Sequence, residues 1–217
     1  MHMSSAVPAN GFSRGILIGK DGVRRCPWSF VAPECQSYHD REWGRPVGSD
    51  DGVFEQLCIE GFQSGLPKPA VLRRRDGIRR AFAGFDPAAV ARFTDRDVAR
   101  LLADSAVVRH RAKILTTIGN ARAAVRLREQ GTSLAGLLWS FEARADTAPP
   151  VAPPASTPES AAFSRELGRR GFRHVEPTTA YAAMQALGVV NDHLDGCRFR
   201  VVCDDERRAF TRPPAVR

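Results

Sequence analysis

Three observations predict an all-α protein. Apolar residues recur at three- and four-residue spacing, capping residues stand just ahead of those runs, and period-two alternation is missing outside a short piece at Gly15 to Ile18. After a loop-rich start, Ser49-Asp50-Asp51 caps a helix whose apolar face is Val53, Phe54, Leu57 and Cys58. Asp86 followed by Pro87 is an N-cap with proline at the first helical position, opening a short helix. Thr94 with Asp97 three residues later has the form of a capping box, Asp standing for the usual Glu, and leads into Val98, Leu101 and Leu102. The longest helix runs from about Arg109 to Glu129 with Ile114, Ile118, Ala121 and Val125 on one face, and Leu134, Leu137, Leu138 and Phe141 mark the next.

From Ala145 to Ser160 the chain becomes a Pro/Ala/Ser/Thr stretch that reads as an extended connector. Thr157-Pro158-Glu159 then opens a helix through Phe163 and Leu167. Gly171 ends it, and Tyr181, Met184 and Leu187 line its successor. Helix, tight turn, helix near Arg165 to Met184 suits a phosphate-gripping hairpin, because a helix N-terminus presents free amides to an anion. A plain helical corner would read the same way. Residues 198–217 are Arg-rich and poor in core residues, and are expected to form a mobile tail.

Composition narrows the function classes. The 217 residues are 43% hydrophobic, enough for a globular core. No apolar run approaches the roughly 20 residues that span a bilayer, and Met1 to Asn10 lacks the basic-then-apolar pattern of a signal peptide. Five cysteines without an export signal argue against a disulfide framework. A cytoplasmic monomer without membrane attachment is expected. The net charge of +8 gathers in arginine clusters such as Arg73-Arg74-Arg75 and Arg165 to Arg173, which would attract phosphate. Arginine-rich, alanine-rich chains are also typical of GC-rich genomes, so charge by itself leaves a DNA partner open.

Two pairs stand out: Cys26 with His39, and His193 with Cys197. Together they make a Cys2His2 set, a composition common in closed structural zinc sites. Spacing alone equally allows buried cysteines and surface histidines, since this is not a standard finger pattern. A zinc here would tie the start of the fold to its end.

Four segments carry a family resemblance: Arg25-Cys26-Pro27-Trp28, Tyr38-His39-Asp40-Arg41-Glu42-Trp43-Gly44, Glu60-Gly61-Phe62-Gln63-Ser64-Gly65-Leu66, and Val190-Asn191-Asp192-His193 with Cys197. Further matches are Arg109 to Ile114, Gly119 to Arg122, Trp139-Ser140-Phe141 and Arg169 to Phe172. In this order they resemble the type I 3-methyladenine DNA glycosylases. The resemblance implies a helix-hairpin-helix glycosylase fold over residues 25–197, flanked by an extension at 1–24 and the tail. It implies a structural zinc on Cys26, His39, His193 and Cys197. It also implies cleavage of the N-glycosidic bond of alkylated adenine in double-stranded DNA, with Glu60 as the carboxylate at the base edge and Trp28 and Tyr38 as aromatic walls. Trp43 and Trp139 are assigned to packing.

Two positions depart from that pattern. The family continues after Gly65-Leu66 with Ser-Trp, whose indole stacks on the base, whereas this chain has Pro67-Lys68-Pro69. In the hairpin, Glu176 stands where the family has a glycine that lets backbone amides approach a phosphate. A cation at Lys68 would repel a cationic base, and an anion at Glu176 would oppose DNA. These departures motivate an alternative in which the pocket serves a non-DNA small molecule, with Lys68 as a new cation or a Schiff-base nucleophile. A third reading is a non-catalytic DNA binder stapled by zinc.

Overall fold

The computed structural model describes residues 15–143 and 152–214, among which eleven α-helices lie. A two-residue antiparallel pair, β1 (Leu17–Ile18) and β2 (Arg24–Arg25), opens the described chain. A 3-10 turn over Pro27–Val31 leads into α1 (Pro33–Arg41), which starts on a proline because the first helical amide needs no partner. α2 (Asp50–Gln63) begins where the Ser49 hydroxyl accepts from the Gly52 amide, as its sequence predicts. α3 (Lys68–Leu72) and α4 (Arg75–Ala81) follow. Then come α5 (Pro87–Ala91), capped by Asp86, and α6 (Asp95–Ala103), where Asp97 reaches back to accept from the Thr94 amide at 2.9 Å.

α7 (Arg111–Glu129) starts two residues later than expected, because His110 serves as N-cap and accepts from the Lys113 amide. Its buried face includes Ile114, Ile118 and Ala121, but Ala124 and Leu127 take the place foreseen for Val125, which is half-buried. α8 (Leu134–Trp139), α9 (Pro158–Arg169) and α10 (Pro177–Ala186) complete the core, and the first part of the expected connector, 145–151, lies outside the described residues.

The main core gathers Phe54, Phe62, Phe82, Phe85, Ile78, Leu101, Ile114 and Phe163, all fully buried. Each such side chain contributes roughly 1.5–3 kcal/mol. α2 runs through it and packs against α10, α8, α7 and α3, so its C-terminal end is held from several directions. A second cluster of Trp28, Cys35, Tyr38, Trp43, Leu194, Cys26 and Cys197 joins the beginning of the chain to its end. Gly188, at φ +71°, lets the turn after α10 lie against Arg45 and Pro46, where a Cβ would come within 2.6 Å of backbone atoms.

The expected mobile tail is corrected. Residues 198–209 form α11 (Arg198–Ala209), with Cys203 buried. Beyond it Phe210 packs on Trp139 at 4.8 Å between ring centroids. Arg207 and Arg212 both donate to Glu142, at 2.8 and 2.9 Å. This segment is anchored by ion pairs and one aromatic ring, so a count of core residues undervalued it.

Candidate functional site

The four sequence-predicted ligands converge. Their donor atoms all lie within 4.8 Å of one another, and all four residues are buried. Cys26 Sγ is 3.8 Å from His193 Nδ1, and Cys197 Sγ is 3.6 Å from both His39 Nε2 and His193 Nδ1. A tetrahedral ion bonded to sulfur at about 2.3 Å and nitrogen at about 2.0–2.1 Å separates those atoms by roughly 3.6 Å. The donor set is therefore compact enough to hold a metal ion.

The outer partners fit as well. His39 Nδ1 pairs with Asp40 Oδ1 at 2.8 Å, and His193 Nε2 with the Trp43 carbonyl at 3.2 Å. A metal-bound histidine commonly gives its other ring nitrogen to a carboxylate or a carbonyl. Asp40 is itself held by Arg25 Nε, 2.9 Å from each of its oxygens, and Arg25 also grips Asp21. Cys197 is drawn far below the ordinary thiol range by its hydrogen bond with Cys26, and then by His193 and His39. Burial lowers His193 and favours the neutral imidazole that a metal requires.

The pocket residues hang from this cluster. Trp28 lies two residues after Cys26, and Tyr38 lies one before His39. The Trp28 ring meets His39 and Trp43 edge-on at 5.2 and 5.0 Å, and stands 6.3 Å from Tyr38. Burial, and then Glu60, push the Tyr38 phenol up, so it remains a donor. The Trp28 Nε1 group is buried and unpartnered.

Glu60 reaches the same place from the last turns of α2. It is 5% exposed, and its Oε1 accepts from Gln56 Nε2 at 2.7 Å, an i, i+4 pair along the helix. Gln56 also lies 3.5 Å from the Tyr38 hydroxyl.

Lys68 turns into the pocket. Gly65, at φ +79°, reverses the chain after α2, and Pro67 and Pro69 flank Lys68 at the start of α3. Its ammonium sits 4.0 Å from Glu60 Oε1, 5.2 Å from the Tyr38 ring centroid and 5.9 Å from that of Trp28. All four pocket residues named from sequence are thus brought together. Sequence reasoning missed Gln56, which its i, i+4 spacing to Glu60 could have marked.

Two cavities flank the C-terminal end of α2. A groove of about 720 Å³ is lined by Glu60, Gly65, Pro153, Thr178, Thr179 and Ala182. A cavity of about 280 Å³ lies between α2, the start of α7 and the turn before α10, lined in part by Lys113, His174 and Glu176. Glu60 lines the first of these and not the second, and neither lining includes Trp28, Tyr38 or Lys68.

In the α9–α10 turn, Gly171 and His174 take left-handed conformations, at φ +90° and +56°. Asn120 of α7 pins the turn by pairing with both backbone groups of Arg173, and Ser164 donates to the Val175 carbonyl. Glu176 is the exposed N-cap of α10, and its side chain makes no cap bond.

A mainly helical fold closed by a Cys/His cluster, with the buried Glu60 carboxylate near Lys68 and Tyr38, is the arrangement to be placed among known proteins. The family model described as methyladenine glycosylase matches residues 28–201, and the chain belongs to that family. It is 41% identical over 181 residues to DNA-3-methyladenine glycosylase 1 of Escherichia coli K12, an alignment covering 81% of this chain and 96% of that protein. It is 37% identical over 177 residues to DNA-3-methyladenine glycosylase of Haemophilus influenzae, covering 80% and 96%. A crystal structure of 3-methyladenine DNA glycosylase I superimposes with a TM-score of 0.76 at 41% identity, covering 80% of this chain and 98% of the other. The Staphylococcus aureus enzyme, whose structure concerns 3-methyladenine recognition, shares the fold with a TM-score of 0.75 at 24% identity, covering 80% and 94%.

Proposed function

We propose that this chain is a DNA N-glycosylase that removes methylated adenine from alkylated double-stranded DNA. The observation that carries the reading is the buried Glu60 carboxylate beside Trp28 and Tyr38, in a chain 41% identical to an enzyme of that name. Methylation makes the base cationic in DNA, so the glycosidic bond is already weakened. When that bond breaks, its electron pair goes to the base, which leaves neutral, and water adds at the sugar C1′. The protein has only to hold the flipped base, exclude bulk water and favour its charge. Glu60 accepts from the base edge, the Tyr38 phenol donates, and Trp28 supplies a flat face.

The ion at Cys26, His39, His193 and Cys197 is zinc in this reading. With four protein ligands it has no open position, so its contribution is to folding. It would fix Trp28 and Tyr38 through their neighbours in sequence. The net charge of +8 supports a DNA partner. Among the described residues no helix is long and apolar enough to cross a membrane. The small-molecule alternative gains no support from the relatives.

Release of free methylated bases from alkylated duplex DNA, resolved by chromatography, tests the reading. Loss of 3-methyladenine release in Glu60→Gln is expected, by about a hundredfold. Absence of release from folded, zinc-loaded wild-type protein would overturn it.

A further inference from the structure

The face of α7 that borders the cavity between α2 and α10 carries two polar side chains that grip backbone. Lys113, in the first turn of α7, donates to the Phe62 carbonyl at 3.0 Å and to the Ser64 carbonyl at 2.6 Å. Both belong to the end of α2, where the last carbonyls have no amide of the helix to accept from and where a cation meets the negative pole. Seven residues further on, Asn120 holds Arg173 in the turn before α10. Its amide group donates to the Arg173 carbonyl at 3.1 Å, and its oxygen accepts from the Arg173 N–H at 2.8 Å. We propose that Lys113 and Asn120 are positioning residues: they fix the separation between the turn after α2 and the turn before α10, and so align a flipped base with the strand that carries it.

Three features carry this. First, positions 113, 117 and 120 fall on one face of a helix, and all three line the cavity of about 280 Å³ together with Ser64, His174 and Glu176. The two turns thus border one cavity, and the seven residues of α7 between their anchors span about 10 Å. Second, both turns depend on outside support. Gly65 and His174 are left-handed, at φ +79° and +56°, and for His174 that conformation costs roughly 1–2 kcal/mol. Third, the turns serve two different needs of the reaction. Ser64, Gly65 and Leu66 line the groove that Glu60 borders, and the turn before α10 is the one whose sequence suits a phosphate. A base turned out of the duplex stays bonded to its own strand, so its pocket and the phosphate contact must lie a set distance apart. A misplacement of about 1 Å can cost about 100-fold in rate.

The inference rests on the glycosylase reading, because a DNA strand is what engages both turns at once. Its test is single-turnover release of 3-methyladenine from alkylated duplex by the zinc-loaded full chain, at a temperature where thermal unfolding shows each variant folded. Lys113→Met and Asn120→Asp, which sets a carboxylate oxygen against the Arg173 carbonyl, should each slow release about tenfold or more. Affinity for undamaged duplex and for free 3-methyladenine should stay within about twofold of wild type, since each turn keeps its own groups. Lys113→Arg still donates to both carbonyls and should recover most of the rate. In the double variant the loss should stay within about threefold of the larger single loss, because both side chains set one distance; two independent structural supports would multiply. Wild-type rates in the single variants, a loss confined to affinity, or multiplied losses in the double variant would overturn the positioning role and leave the glycosylase reading intact. No release by wild type would overturn both.

Discussion

Replacing Asp40 by asparagine isolates the support of the metal centre from its ligands. Asp40 touches no ligand sulfur. It pairs with the His39 Nδ1 at 2.8 Å and accepts from Arg25, whose side chain is 5% exposed. Asparagine keeps the shape and one acceptor oxygen but removes the charge that orients the imidazole. Such outer partners are typically worth 10- to 100-fold in metal affinity, or about 1.4–2.8 kcal/mol. Arg25 also loses one of its two carboxylates, a charge-assisted bond of roughly 1.5–3 kcal/mol, partly offset because Asp21 remains at 2.7 Å. The metal-loaded variant should therefore lose about 3 kcal/mol, about half of it through the metal. Competition with a chromophoric chelator measures zinc affinity, and thermal unfolding at saturating zinc measures the rest. Asp21→Asn is the control, since Asp21 meets Arg25 but not His39. Zinc affinity in Asp40→Asn within twofold of wild type would refute the assignment of Asp40 as a partner of a metal-bound histidine.

Other outcomes follow from the same geometry. The Glu142 carboxyl is lowered from its ordinary 4.5: burial alone would raise it, but hydrogen bonds from Arg212 and Arg207 outweigh that. A depressed folded-state value stabilises above the unfolded pKa and loses that stabilisation as pH falls through the folded one. Glu142→Gln should thus cost about 1 kcal/mol at neutral pH and flatten the acid limb of a stability–pH curve from denaturant titrations. Gly188→Ala should destabilise by about 2–4 kcal/mol, through positive φ and a Cβ pressed on the Arg45–Pro46 backbone, as seen in the denaturant midpoint. Glu176→Gly should tighten binding of undamaged duplex DNA severalfold at low salt, the gain fading as screening increases. An equal gain at high salt would point away from charge.

Most of the helical framework was legible in the amino-acid sequence because its signals are local. Ser49, Asp86, Thr94 and Thr157 each cap a helix at the position their spacing announced, and Gly171 ends one. A cap and its amides lie within four residues of each other, so their chemistry can be read without the rest of the fold. The segment after Cys197 was misread for the same reason. Its anchors, Glu142 and Trp139, lie more than sixty residues away, and nothing near Arg207 or Phe210 signals them.

The candidate site divides along the same line. Cys26, His39, His193 and Cys197 could be named from residue type and family pattern, and so could Glu60, Trp28 and Tyr38. That both cysteines and both histidines close to within 4.8 Å across the whole chain is a tertiary fact. So is the direction of Lys68. The sequence by itself determined that a lysine replaces the family's tryptophan. Only the fold decided that its ammonium turns toward Glu60 rather than into solvent, because side-chain direction at the start of α3 depends on how α1 and α2 pack around it.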